Sequence, residues 1–439
     1  MKLVAWVFAA VLAVGLAPAA EATEAGHHTG ALPDGATWVA DVPAAWNGTI
    51  ILYSHGFGPL EPRNAPDEAT GQALLGEGYA LVGSSYSGPS WWALESAVRD
   101  QFDALAALEA RIGPAKRTIA WGTSMGGLVS AREAEDHRVD GTLTTCGLVA
   151  GALNLNAYQL HGEYALAHLL APEQSIKLVR YASQEEATAA ASTLTGVTSA
   201  AQATPAGRAR IALAAALLNM PTWYTGPTPP SDYETQEAHQ EQALTEFVLG
   251  FVLTGRYQIE LAAGGNSAAT RGADYAAMFA SSSHARQVRE LYRRAGLSLD
   301  ADLAKLSRDA DITADPGAVT TLARTSVPTG RLRGPELNLH TVADHLVPVE
   351  QENWYARRVA SAGAGPLLRQ AYVAGAGHCA FEPSETIAGL HALETRITTG
   401  RWGNAAEPDV LNAVAGTGRY TRFAVPLLVG ALTPGPRER

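Results

Sequence analysis

The strongest constraint on how this chain can fold lies between residues 117 and 150. A β-rich apolar run at 117–121 leads into Gly122-Thr123-Ser124-Met125-Gly126, and a stretch with helical spacing, 125–136, leads out of it. A further β-rich run follows at 141–150. Strand, glycine-flanked turn, helix and strand read as one βαβ unit, whose two strands lie parallel in a single sheet. The alternation extends to both sides. Upstream, 36–42, 49–53 and 79–83 read as strands and 92–112 as an amphipathic helix. Downstream, 337–340 and 367–373 read as strands, with helices at 350–360 and 383–398. This pattern predicts an α/β fold, a mostly parallel central sheet flanked by helices. Trp46-Asn47-Gly48, between the first two apolar runs, predicts a β-hairpin turn. Residues 23–33 are small and polar and read as a loose lead-in.

The alternation stops at residue 153 and resumes near 327. Residues 153–326 are rich in Ala, Leu and Glu at helical spacing, as at 206–220 and 275–280, with Pro and Gly clustered at 221–230 and 264–265. We read them as a large, mainly helical cap insertion dividing a core of 23–152 and 327–403. Residues 404–439 form a tail whose apolar run, 423–432, packs on that core. A length of 439 residues suits one large domain with an insertion. At the N-terminus, Lys2, an apolar run at 3–16 and small residues at 17–22 read as an export signal spanning 1–22. The run is shorter than the roughly 20 residues of a membrane span, so a secreted protein without stable membrane insertion is expected. The net charge of −11 and the lack of a basic run argue against nucleic acid as a partner.

Four short stretches carry candidate chemistry, each after a strand-like run. Gly122-Thr123-Ser124-Met125-Gly126 fits Gly-x-Ser-x-Gly, which alone is equally a glycine-rich βα turn with a capping serine. Ser54-His55-Gly56-Phe57-Gly58 is a second glycine-rich turn, or a loop with a structural histidine. Asp344 stands before Val347-Pro348, where an Asx-turn or a helix cap is the bland reading. His378 lies in Gly375-Ala376-Gly377-His378-Cys379, after the last strand. His340, His345 and Glu350 read as structural or surface groups. No metal-binding spacing, dinucleotide fingerprint or phosphate loop occurs, so neither metal nor cofactor is expected.

Taken together, in this order, the four stretches resemble the α/β-hydrolase superfamily over 36–152 and 327–400. They are most similar to exported bacterial serine hydrolases with a large helical cap, a set that includes esterases and aminopeptidases. The resemblance implies Ser124 as nucleophile, His378 as base and Asp344 as acid. It implies an oxyanion hole from the backbone N–H groups of Phe57 and Met125. It also brings Cys146 and Cys379 close to the same centre, so a single disulfide between them is expected. The expected activity is hydrolysis of a carboxylic ester or related acyl bond in a small-molecule substrate. The alternatives are an exopeptidase of the proline or tripeptidyl aminopeptidase type, an acyltransferase, and a catalytically silent binding protein. An exopeptidase needs a cap carboxylate for the substrate amine, and Glu163, Asp232 and Glu234 are candidates. Trp223, Tyr224, Tyr233 and Tyr275 are candidate pocket residues or core aromatics.

Overall fold

The computed structural model describes residues 25–432. The expected export signal, 1–22, and the last seven residues of the expected tail lie outside them. Nine strands form one sheet: β1 Gly26–Ala31, β2 Thr37–Val42, β3 Thr49–Ser54, β4 Ala80–Ser84, β5 Arg117–Thr123, β6 Gly141–Thr145, β7 Glu336–Ala343, β8 Leu368–Ala376 and β9 Tyr420–Thr421. Their spatial order is β1-β2-β4-β3-β5-β6-β7-β8-β9. From β4 to β8 all pairings are parallel, and β1, β2 and β9 add antiparallel edges. This is a mixed α/β fold with the strand order of an α/β-hydrolase sheet.

Burial explains why the central strands read as unbroken apolar runs. Every residue of β3, β4 and β6 is buried, because helices cover both faces of the parallel sheet. Along β3, Ile51 and Tyr53 pack on one side with Trp121, Leu339 and Leu393. Ile50 and Leu52 pack on the other with Phe102, Leu105 and Leu108 of helix Ala97–Ile112.

Two sequence expectations are overturned here. Of the expected loose lead-in at 23–33, residues 26–31 instead form β1, which pairs along its whole length with β2. Nor does Trp46-Asn47-Gly48 close a hairpin, because β4 lies between β2 and β3. Asn47 instead accepts from the Thr49 amide (2.8 Å) and donates to the Glu77 carbonyl (3.1 Å), and its amide donates to Gly78 O (2.8 Å). The Asn-Gly turn is thereby tied to the loop that feeds β4. A fully buried strand has both edges occupied by parallel neighbours and is poorly suited to be a hairpin arm.

Between β6 and β7 the chain leaves the sheet for an array of helices running from Gly151–Leu170 to Pro316–Thr325. Capping side chains mark several starts: Ser183, Thr204, Asp232, Asp274 and Ser298 each accept from an amide three residues on. Within the array, Glu163 on helix Gly151–Leu170 and Arg256 on helix Leu249–Ala263 form a two-pronged ion pair (2.9 and 2.8 Å), both side chains fully buried. The last described residues pack on this array as well as on the core. Val429 exchanges two hydrogen bonds with Asn219, and Leu432 N donates to Asn154.

Removing one partner of a buried ion pair strands the other charge, at a cost of about 3–5 kcal/mol. Glu163→Ala is expected to lower unfolding free energy by that amount in urea titrations. The double replacement Glu163→Leu with Arg256→Met should recover most of it.

Candidate active site

Ser124 sits between the end of β5 and helix Met125–Glu133, with φ 59° and ψ −122°. A non-glycine residue holds such a conformation only where its surroundings enforce it. The surroundings here are backbone. A Cβ on Gly122 would lie 1.9 Å from the Gly126 carbonyl oxygen, and one on Gly126 would lie 1.9 Å from the Ser54 carbonyl oxygen. Both glycines are therefore required by close approach of the chain to itself. The turn of β3 into Gly56 lies against Ser124 less tightly, 3.3 Å from a notional Gly56 Cβ to Ser124 Cβ.

His378, beyond the end of β8, directs Nε2 at Ser124 Oγ (2.9 Å) and Nδ1 at Asp344 Oδ2 (2.7 Å). Asp344, beyond the end of β7, also accepts at Oδ1 from the amides of Leu346 (2.9 Å) and Val347 (2.8 Å). Burial alone would raise its carboxyl pKa. His378, His340 and the Val347 amide together outweigh that and hold it below the usual carboxylate range. An ionised Asp344 accepts a hydrogen bond from the Nδ1–H of His378, which keeps the proton on Nδ1 and leaves the Nε2 lone pair to accept from the serine hydroxyl. The structure thus brings the side chains at 124, 344 and 378 to one point.

Their loops are held from behind. His340 donates from Nε2 to the Val347 carbonyl (2.8 Å), while Nδ1 meets Glu352 (3.1 Å). Both side chains are buried, so His340 is a strut for the turn that carries Asp344. Cys146 and Cys379 are joined in a disulfide, with Cα atoms 5.3 Å apart, fastening the residue after His378 to the end of β6. Together with His378 they are the grouping that most resembles a metal site among the described residues, but both thiols are spent in that bond. His55 is a buried support, stacked on Tyr86 at 4.2 Å, with Nδ1 on the Gly56 carbonyl. Among the described residues, the amides of Phe57 and Met125 donate to no protein group, and Met125 opens a helix whose first amides have no intrahelical acceptor.

Above Ser124 lies a small cavity that opens to solvent. Its walls are Phe57, Trp92, Leu148 and Leu346 from the core and Leu155, Gln159, Phe251, Val252 and Ile259 from the helical array. None of Trp223, Tyr224, Tyr233 and Tyr275 lines it. Tyr275 is buried against Tyr164 and His161, and Trp223 bonds the Gly226 carbonyl. The wall residues of helix Leu249–Ala263 recur at 251, 255 and 259, a spacing visible in the sequence but indistinguishable there from an ordinary core stripe. The three cap carboxylates are also committed elsewhere: Glu163 to Arg256, Asp232 to capping helix Tyr233–Ala243, and Glu234 to Arg294.

Behind the Ser124 turn, Glu133 is buried and accepts from Ser54 Oγ (3.3 Å), while its second oxygen has no partner. Burial pushes its carboxyl up to about 8. An acid with a raised pKa stabilises the fold fully below its unfolded value, and that contribution is lost as pH rises through about 8. Denaturation midpoints should therefore fall from pH 5 to 9 more steeply in wild type than in Glu133→Gln. The difference between the two isolates this group from Glu163, Glu237 and Glu350, which burial raises to about 7.

No protein-family model matches the chain. It is 29% identical to an o-phthalyl amidase from Xanthobacter agilis over 425 residues, covering 90% of this chain and 92% of that one. Among solved structures it is similar to an esterase from Aspergillus oryzae (14% identity, TM-score 0.40, 83% of this chain and 77% of that one). It is also similar to feruloyl esterase B from the same organism (16% identity, TM-score 0.38, 83% and 78%). The strand order of the sheet and the strand–turn–helix at Ser124 give this chain an α/β-hydrolase fold, and its sequence likeness to that amidase runs along nine-tenths of its length.

Proposed function

We propose that this protein is a serine hydrolase that cleaves a carboxylic acyl bond through an acyl-enzyme on Ser124. The observation that carries this reading is the unbroken chain of hydrogen bonds Ser124–His378–Asp344 beside an apolar cavity. In the proposed reaction Ser124 Oγ attacks the acyl carbonyl as its proton passes to His378 Nε2. The oxyanion of the tetrahedral intermediate is received by the free amides of Phe57 and Met125, each such donor contributing about 3 kcal/mol to the barrier reduction. His378 then gives its proton to the leaving group, and water, activated by the same imidazole, releases the acid and restores Ser124. Asp344 stays ionised throughout and stabilises the imidazolium.

The bond cleaved is an ester or an amide. The amidase relative supports amides more strongly than the sequence alone does. An exopeptidase is less well supported, because the cap carboxylates that would hold a substrate amine are engaged by Arg256, Arg294 and a helix start. Export is part of the proposal. Its support is the N-terminal segment 1–22 together with the Cys146–Cys379 bond, since disulfides persist in oxidising compartments. No described helix is long and apolar enough to cross a membrane.

A fluorophosphonate probe should label wild type and fail to label Ser124→Ala. Equal labelling of the two would remove Ser124 from the reaction, and an unlabelled wild type would favour a silent binding protein. Asp344→Asn should cut kcat on p-nitrophenyl esters by about 10³–10⁴ while leaving the fold intact. Parallel assays with p-nitroanilides rank amide against ester, and product analysis with an added alcohol tests acyl transfer.

A further inference from the structure

Resting on the serine hydrolase reading, we infer that Gln159 is the specificity-determining residue of the acyl pocket. Its amide hydrogen-bonds a neutral polar substituent on an otherwise apolar, ring-sized acyl group.

Helix Gly151–Leu170 carries many polar residues into the interior, and nearly all of them are used. Asn154 bonds the Ala150 carbonyl and the Leu432 amide. Asn156 donates to Ser267. The Tyr158 hydroxyl accepts from Gln351, His161 meets Tyr275, and Glu163 holds Arg256. Gln159 is the exception. It is 6% exposed, lines the cavity above Ser124, and has no side-chain hydrogen bond among the described residues. Its amide atoms are not sealed inside the protein but open onto the cavity, where water can pair with them. An apolar substrate group that displaces that water leaves the amide unpaired at a cost, and a polar one does not. A partner delivered by the substrate satisfies it without any rearrangement of the protein.

The cavity wall defines what that substrate looks like. The other side chains lining it are apolar, apart from Ser124 itself and Trp92, whose indole N–H is already bonded to Ser326. Phe57, Trp92 and Phe251 offer faces and edges suited to a ring. Among the described residues no charged side chain lines the cavity, so an ionised substituent would be buried without a counter-charge, which is strongly unfavourable. A hydroxyl, carbonyl or amide substituent carries no such cost, and the amide of Gln159 can donate to or accept from each. The cavity receives the acyl half rather than the leaving group. His378, which protonates the leaving group, is not part of the cavity wall, so departure takes place on the opposite side of Ser124.

The test uses p-nitrophenyl esters of benzoic acid, 3- and 4-hydroxybenzoic acid, and 3- and 4-carboxybenzoic acid, assayed with wild type, Gln159→Leu and the near-isosteric Gln159→Met. The readout is the ratio of kcat/KM for each substituted ester to that for benzoate, which does not depend on how much enzyme is folded. Intrinsic ester reactivity cancels when a variant's ratio is divided by that of wild type. For at least one hydroxybenzoate the ratio is expected to fall about tenfold in both variants, and wild type should handle carboxybenzoates least well. An unchanged hydroxybenzoate ratio in both variants, or a wild-type preference for carboxybenzoates, would overturn the assignment. A wild type labelled by fluorophosphonate but inert to all five esters overturns the substrate class alone. A wild type that is neither labelled nor active overturns the serine hydrolase reading beneath it.

Discussion

A carboxylate stripped of water is costly, and the structure around the site is arranged to keep one. Asp344 is fully buried, and an isolated ion there would cost several kcal/mol or simply take up a proton. It stays ionised because three donors converge on it: two amides of its own turn and the Nδ1–H of His378. Each donor requires something further back. The turn needs Val347 held in place, and His340 does this from below through a buried contact with Glu352. The imidazole needs its loop held, and the Cys146–Cys379 bond ties that loop to β6, next to the strand that delivers Ser124. The three side chains of the proposed triad come from the ends of β5, β7 and β8, and their alignment follows from the parallel register of those strands.

The second constraint is steric. Ser124 occupies a conformation that an L-residue avoids, and the strain is stored by three backbone segments in near contact at Gly122, Gly126 and Gly56. Sheet packing supplies the energy that holds it, since β3 and β5 run side by side and are buried on both faces. Site and core are therefore one mechanical unit. Glu133, buried behind the turn with a single weak partner, shows how tightly the space is closed: the fold tolerates a high-pKa carboxyl there rather than opening to water.

Local signals made parts of this legible in the sequence. The apolar run of residues 49–53, the glycines around Ser124 and the strand-like runs before Asp344 and His378 are all short-range patterns, and short-range patterns locate strand ends. They do not say which strands are neighbours. The hairpin expected at Asn47-Gly48 follows a sound local rule, yet β4 enters from 30 residues downstream and takes the position beside β3. Similarly, β1 is polar and exposed along much of its length, and its existence rests on pairing to β2 rather than on any pattern of its own. The cavity wall was the least legible element. The aromatic residues 223, 224, 233 and 275 are conspicuous in the sequence, but Phe251 and Ile259 do the lining, on a helix that the Arg256–Glu163 pair ties to helix Gly151–Leu170.

That pair also bears on how the pocket acquires its character. Arg256 lies between wall residues Gly255 and Ile259, yet its guanidinium points away from the cavity and is neutralised by Glu163. Had it turned inward, the wall would carry a cation and select acids. Locked as it is, it confers rigidity on two helices at once and leaves the wall uncharged. Helix Gly151–Leu170 contributes Glu163 to the lock and, one turn earlier, Gln159 to the wall. The same helix therefore fixes the position of the facing wall and supplies the one uncommitted polar group within it. In such an arrangement, selectivity comes from a hydrogen bond made in an apolar setting, where an unmade bond is costly and an added charge is costlier still.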